Sequence, residues 1–207
     1  MNVDAMLFNE MYRRGTPDRV YILLDVSLNK ITHDLLNMIH DFIVQTQLKT
    51  TIFYNGEGYT LLDMLIIMKN KNGVEEPSNI IDNLTYIHEN FIENADAPID
   101  NYLDIIIITD LIDIDRAILS TSVNDVVGDY KTRGNEEGYA KHVNFTTILY
   151  DVEINEEQVS SYIDVFDDHD LFKIESSESK DEKLAKLESA VGKVYADIFD
   201  FKKMKTT

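Results

Sequence analysis

Four consecutive isoleucines, Ile105 to Ile108, constrain the fold of this chain more than any other feature. Asp104 precedes the run, and Asp110 follows shortly after it. A continuous apolar run of this length is typical of a strand buried on both faces, as in a parallel sheet covered by helices. Val20 to Leu24 has the same character. We therefore expect these two segments to be adjacent inner strands of one sheet.

Strand-like and helix-like segments alternate along the rest of the chain. Further strands are expected at Thr50 to Tyr54, with a hairpin from Asn55-Gly56 into Tyr59 to Leu62, at Asn144 to Tyr150, and at Phe172 to Ile174. Helices are expected at Leu35 to Ile43, Ser78 to Phe91, Ala117 to Val127, Glu156 to Phe166, and Leu184 to Ile198. Loops are expected at Lys69 to Pro77 and Arg133 to Gly138. This order predicts an α/β fold: a doubly wound, mostly parallel central sheet flanked by helices, with one short antiparallel edge strand.

Length and composition indicate one domain over residues 1–207, because 207 residues with 44% hydrophobic side chains bury a substantial core. The chain has no cysteine, which excludes disulfides, zinc-thiolate sites and cysteine nucleophiles, and favours a reducing cytoplasm. Met1 to Arg14 lacks the apolar stretch of a signal peptide. The longest apolar runs are too short to span a bilayer. We therefore expect a soluble, cytoplasmic protein.

The charge of the chain limits its partners. Acidic residues number 38 against 19 basic ones, which gives a formal net charge of −19. The average field of such a chain repels phosphate backbones and anionic lipid surfaces. We therefore expect neither nucleic acid nor membrane as a partner, while a basic protein or divalent cations remain compatible with this charge.

Oxygen-bearing side chains follow the strands at positions where a parallel sheet gathers its binding groups. Asp25, Ser27 and Asn29 follow the first strand, Ser78 precedes the second helix, and Asp110 follows the isoleucine strand. Carboxylate, hydroxyl and amide oxygens suit Mg²⁺ or Mn²⁺, which prefer octahedral oxygen ligands and keep several waters. The sequence therefore predicts a divalent-metal site formed by three loops.

These motifs resemble the metal-ion-dependent adhesion site of von Willebrand factor A-type (VWA) domains. That family has Asp-x-Ser-x-Ser after its first strand, and this chain has Asp25-x-Ser27-x-Asn29. The family often has Thr-Asn-Ile-x-x-x-Leu in a later loop, where this chain has Ser78-Asn-Ile-x-x-x-Leu. Its final Thr-Asp-Gly corresponds to Thr109-Asp110-Leu here. The resemblance extends from Val20 to about Phe199.

The resemblance implies a protein-interaction module rather than an enzyme. Ser27, Asn29 and Ser78 would then approach the metal directly, with Asp25 and Asp110 ligating directly or through water. An acidic side chain from the protein partner would occupy the remaining position. Serine for threonine and asparagine for serine both keep an oxygen donor, whereas a leucine replaces the glycine that follows the last aspartate.

Other interpretations of the same residues stay open. Ser78 is also a suitable N-cap for the second helix, as Asn29 or Thr32 is for the first. A metal-free scaffold would keep the fold and use these residues only as caps. A metal-dependent phosphoester hydrolase would share the carboxylates, but the sequence offers no identifiable general base or nucleophile for it.

Overall fold

The computed structural model describes residues 19–26, 30–46, 49–70, 80–93, 102–110, 116–137, 142–152 and 169–204. The strands are β1 (Arg19–Asp25), β2 (Lys49–Tyr54), β3 (Glu57–Tyr59), β4 (Tyr102–Thr109), β5 (His142–Val152) and β6 (His169–Glu175). The helices are α1 (His33–Thr46), α2 (Leu61–Lys69), α3 (Ile80–Ile87), α4 (Arg116–Glu137) and α5 (Lys180–Met204). A π-helical turn, His88–Glu93, continues α3. No helix among these residues is long and apolar enough to cross a membrane.

The six strands form one mostly parallel sheet in the order β3-β2-β1-β4-β5-β6, with β3 as an antiparallel edge strand. β1 and β4 are neighbours at its centre, and their register pairs Ile22 with Ile106 and Asp25 with Thr109. The prediction of two adjacent inner strands is confirmed. The chain adds β2 and β3 on one side of β1 and then returns to add β4, β5 and β6 on the other.

Both faces of this sheet are buried, which explains the continuous apolar runs. Val20, Ile22 and Leu24 belong to one core cluster, together with side chains of α1, α2 and α5. Tyr21 and Leu23 belong to a second cluster with side chains of α3 and α4. Because successive side chains of a strand point to opposite faces, a strand between two helical layers needs apolar residues at every position.

The predicted hairpin forms at Asn55-Gly56. Both residues have positive φ, 49° and 71°, as the type I′ two-residue turn between antiparallel strands requires. The Gly56 N–H donates a 2.9 Å hydrogen bond to Oδ1 of Asn83, whose side chain is fully buried. This bond ties the hairpin to α3.

The expected end of the hairpin is wrong, because β3 stops at Tyr59 and Leu61 begins a helix. Thr60 caps this helix: its hydroxyl accepts the Asp63 N–H, and the Asp63 carboxylate accepts the Thr60 N–H. This capping box satisfies the free amides of the first turn. α2 therefore lies where the sequence suggested a strand and the start of a loop.

Two other boundaries differ from expectation. α4 extends to Glu137, because its buried stripe continues past the predicted end at Val127 to Tyr130. The part of the expected loop from Arg133 to Glu137 is therefore helical. β4 begins at Tyr102, so Asp104 lies inside the strand and is fully buried. The predicted helix from Glu156 to Phe166 lies outside the described residues.

Candidate functional site

The central strands end in two linked aspartates. Asp25 is the last residue of β1, and its side chain is buried. The Thr109 hydroxyl donates a 2.7 Å hydrogen bond to Asp25 Oδ2. The Asp110 backbone N–H donates to the Asp25 carbonyl oxygen at 3.3 Å. These two bonds fix the ends of β1 and β4 beside each other.

The same Asp25 carboxylate holds the start of α3. It accepts a hydrogen bond from the backbone N–H of Ile80, the first residue of that helix. A carboxylate at this place satisfies a free amide and is stabilised by the positive end of the helix dipole. Asp25 therefore joins three segments: the end of β1, the end of β4 and the start of α3.

The electrostatic environment of Asp25 disfavours a lone negative charge. The pKa of Asp25 is raised to about 7, chiefly by burial, with a smaller contribution from the nearby Asp110 carboxylate. The hydrogen bonds from Thr109 and Ile80 act in the opposite direction and lower the pKa. Burial outweighs them because the charged form loses most of its hydration. Two carboxylates in such a place favour the presence of a proton or a cation.

Asp110 is equally enclosed, with its side chain 3% exposed. Its Oδ2 atom is buried and receives no hydrogen bond from the described residues. The Lys30 ammonium lies 3.2 Å from this oxygen as an ion pair. A buried carboxylate oxygen whose close partner is an ammonium group fits the chemistry of a cation ligand.

Lys30 lies between β1 and α1 and reaches across the end of the sheet. Its Nζ also donates to the backbone carbonyl of Asp151, at 3.3 Å. Two residues further along, Thr32 caps α1, because its hydroxyl oxygen accepts the Leu35 N–H at 3.2 Å. The sequence offered Asn29 and Thr32 as possible caps of this helix, and Thr32 is the residue that caps it. Asn29 itself lies outside the described residues.

The structure brings together two of the five predicted metal ligands, Asp25 and Asp110. Ser27, Asn29 and Ser78 lie outside the described residues, although Ile80 places the start of α3 directly on Asp25. Among the side chains that the structure describes, no group of three or more histidine, aspartate or glutamate residues is arranged to hold a metal.

Sequence reasoning missed two residues of the site, Thr109 and Lys30. Thr109 follows the isoleucine run directly and stands in the quoted Thr109-Asp110 motif, but it was given no role there; its register opposite Asp25 is seen only in the structure. Lys30 carried no comparable signal, because the reach of a long flexible side chain depends on the loop that holds it.

A cavity of about 520 Å³ opens beside Lys30. The cavity is lined by the apolar or aromatic side chains of Leu35, Tyr150, Leu184 and Leu187 and by the polar side chains of Lys30, Thr32, Asp34, Asp151, Glu178, Lys180 and Lys183. Lys183 Nζ donates to Asp151 Oδ1 at 2.5 Å, and Lys180 Nζ lies 2.7 Å from Asp34 Oδ2. Asp151 itself has a φ of 58° where the pairing of β5 and β6 is irregular. An aspartate tolerates this left-handed conformation better than most residues.

Comparison with protein-family models and with curated proteins gives no match for this chain.

Proposed function

We propose that this chain is a protein-interaction module with a doubly wound, VWA-like fold that binds its partner through Mg²⁺ or Mn²⁺. The proposed metal ligands are Asp25, Ser27, Asn29, Ser78 and Asp110. The partner is a protein that contributes an acidic side chain to the metal. We place the module in the cytoplasm, because it has no cysteine to form a disulfide.

The observation that carries this proposal is the set of hydrogen bonds to Asp25. Its carboxylate accepts from Thr109 at the end of β4 and from Ile80 at the start of α3. The three oxygen-rich segments identified in the sequence are therefore neighbours. In the sequence, Ser78 lies two residues before Ile80, and Ser27 lies two residues after Asp25. This proximity along the chain is why we include both in the proposed ligand set.

Charge supports a metal as the bridge to an acidic partner group. A chain with a net charge of −19 repels an acidic surface, and Asp25 and Asp110 add to this at the site itself. A divalent ion neutralises the two carboxylates, while serine and asparagine oxygens leave it electrophilic with room for another anionic ligand. The metal thus makes an otherwise repulsive place attractive to a carboxylate.

The position of the Thr109 hydroxyl, next to the Asp25 carboxylate, favours a binding role over catalysis. The Thr109 side chain is fully buried and donates its proton to Asp25, so it serves as an anchor for the strand ends. A nucleophile requires an accessible oxygen with a base that accepts its proton. For the same reasons of charge given above, we propose neither nucleic acid nor membrane as a partner.

A second candidate function is a metal-free scaffold with the same fold. The Lys30–Asp110 ion pair favours it, since Lys30 already supplies a positive charge to the enclosed carboxylate. In that case the module binds through its helical faces or acidic surface, and the loop residues act only in capping.

Comparing partner capture with and without metal tests the proposed function. The immobilised chain is exposed to extract from its native host in Mg²⁺ and in a chelator, and Asp110→Ala is exposed in Mg²⁺. We expect at least one protein to be retained only by the unaltered chain in Mg²⁺. Identical retention in all three samples would contradict the proposal and favour the scaffold.

A further inference from the structure

We propose that the Lys30 ammonium is a built-in cation that occupies the Asp110 carboxylate in the absence of metal. A divalent ion must displace it to bind, so Lys30 sets the metal concentration at which the site fills. This inference rests on the proposed metal site and concerns its regulation.

The ion pair shows what a metal has to replace. Lys30 Nζ lies 3.2 Å from Asp110 Oδ2, and the two side chains are 26% and 3% exposed. A carboxylate that is so well enclosed has lost most of its hydration, and an uncompensated charge there is costly. Lys30 therefore compensates Asp110 in the same way that a bound cation does.

The two cations exclude each other at this position. Mg²⁺ or Mn²⁺ binds a carboxylate oxygen at about 2.0–2.1 Å, which is closer than an ammonium approaches. An ion bound to Asp110 would therefore lie within a few ångströms of the present Nζ position, in an enclosed site where like charges repel strongly. Metal binding and the Lys30–Asp110 contact are alternatives.

The displaced side chain has polar partners close by. Lys30 Nζ already donates to the Asp151 carbonyl oxygen at 3.3 Å. Lys30 also lines the cavity of about 520 Å³, and Asp34 and Asp151 are among the other lining residues. Asp34 already pairs with Lys180, and Asp151 with Lys183. The displaced Lys30 ammonium would therefore keep its Asp151 carbonyl contact beside two existing ion pairs.

Titrating the metal-stripped full chain with Mn²⁺ by calorimetry tests this inference. The variants are Lys30→Met, Lys30→Gln, Lys30→Arg and the control Lys183→Met. Lys183 lines the same cavity but pairs with Asp151, so its removal changes the net charge equally without touching Asp110. We expect Lys30→Met and Lys30→Gln to tighten Mn²⁺ binding about tenfold, and the other two to change it much less.

The outcomes separate this inference from the proposed function. Equal Mn²⁺ affinity in the unaltered chain and both neutral Lys30 variants would overturn the role of Lys30 and leave the metal site standing. Equal tightening of Mn²⁺ binding by Lys183→Met would also overturn it, because the effect would then come from the change in net charge and not from the contact with Asp110. Binding by Lys30→Met alone would support the inference, while showing that the unaltered chain is metal-free. No binding by any variant would contradict both proposals.

Thermal unfolding provides a second measurement that does not depend on heats of binding. In a chelator, Lys30→Gln should unfold at a lower temperature than Lys183→Met, because only the first leaves Asp110 without a counter-charge. Mn²⁺ should raise the unfolding temperature of Lys30→Gln more than that of the unaltered chain. An equal rise in the two proteins would contradict the exchange.

Discussion

The Thr109 hydroxyl donates a 2.7 Å hydrogen bond to Oδ2 of Asp25, across the two central strands. Both side chains are buried, so loss of the donor leaves a desolvated carboxylate oxygen with one partner fewer. We expect Thr109→Val, which keeps the shape of the side chain, to lower the free energy of unfolding by about 1–3 kcal/mol. Urea denaturation measures this change.

Thr132→Val is the matched control for that prediction. The Thr132 hydroxyl donates to the Gly128 carbonyl oxygen at 2.9 Å on the exposed surface of α4. Water replaces this bond, so the change should stay below about 0.5 kcal/mol. Similar losses of unfolding free energy in Thr109→Val and Thr132→Val would show that the buried hydrogen bond to Asp25 stabilises the fold no more than an exposed one.

The raised pKa of Asp25 gives a prediction about pH. The folded state holds the proton with a pKa of about 7, against 3.8 for the ordinary group, so stability falls as pH rises between these values. The stability cost is complete above pH 7 and amounts to about 4 kcal/mol at most. In chelator-treated protein, Asp25→Asn removes this dependence.

The informative quantity is the difference in unfolding free energy between Asp25→Asn and the unaltered chain. From pH 5 to pH 8, the unfolding free energy of Asp25→Asn should rise relative to that of the unaltered chain. A constant difference caused by altered hydrogen bonds would not affect this pH dependence. A difference that stays flat over this range would mean that Asp25 titrates normally.

The two inner isoleucines test the burial of the sheet from both sides. Ile106 and Ile107 face opposite core clusters, and each is at most 2% exposed. Replacing either with alanine should cost about 2–5 kcal/mol in unfolding free energy. The control Ile118→Ala, at a position 51% exposed on α4, should cost less than about 1 kcal/mol. A core loss below that of the control would contradict the packing.

Two glycines should respond to alanine in opposite directions. Gly56 has a φ of 71° in the hairpin turn, so alanine there should destabilise by about 1–2 kcal/mol through backbone strain. Gly192 lies in α5 with open space around its Cα, and alanine there should stabilise by about 0.5–1 kcal/mol. Chemical denaturation measures the unfolding free energy of both variants. A stabilising effect of alanine at Gly56 as well as at Gly192 would contradict the turn geometry.

The central strands and the two aspartates were predictable because strong physical patterns mark them. A strand between two helical layers must be apolar throughout, as Ile105 to Ile108 is. A polar residue directly after such a strand lies at the edge where binding groups gather, which placed Asp25 and Asp110 together. These inferences depend only on strand periodicity and on the direction of parallel strands.

The features that were missed depend on weaker or longer-range effects. The start of α2 was assigned to a strand because the turn residues Asn55-Gly56 and Gly58 predicted a hairpin continuing through Tyr59 to Leu62. Its usable signal was the Thr60–Asp63 capping box. The Lys30–Asp110 pair joins distant parts of the chain through a flexible side chain, and no local pattern encodes such a contact.

The most direct test of the metal site is the Mn²⁺ affinity of Asp110→Ala, measured by calorimetry beside the unaltered chain and the control Asp41→Ala. Asp41 is exposed on α1, so its removal changes the net charge equally at a distance from the site. We predict that Asp110→Ala weakens Mn²⁺ binding by about a hundredfold or more, since even indirect contacts to a metal contribute about ten- to a hundredfold. Asp41→Ala should bind as the unaltered chain does. Unchanged affinity in Asp110→Ala would contradict the metal site and leave the metal-free scaffold as the better account.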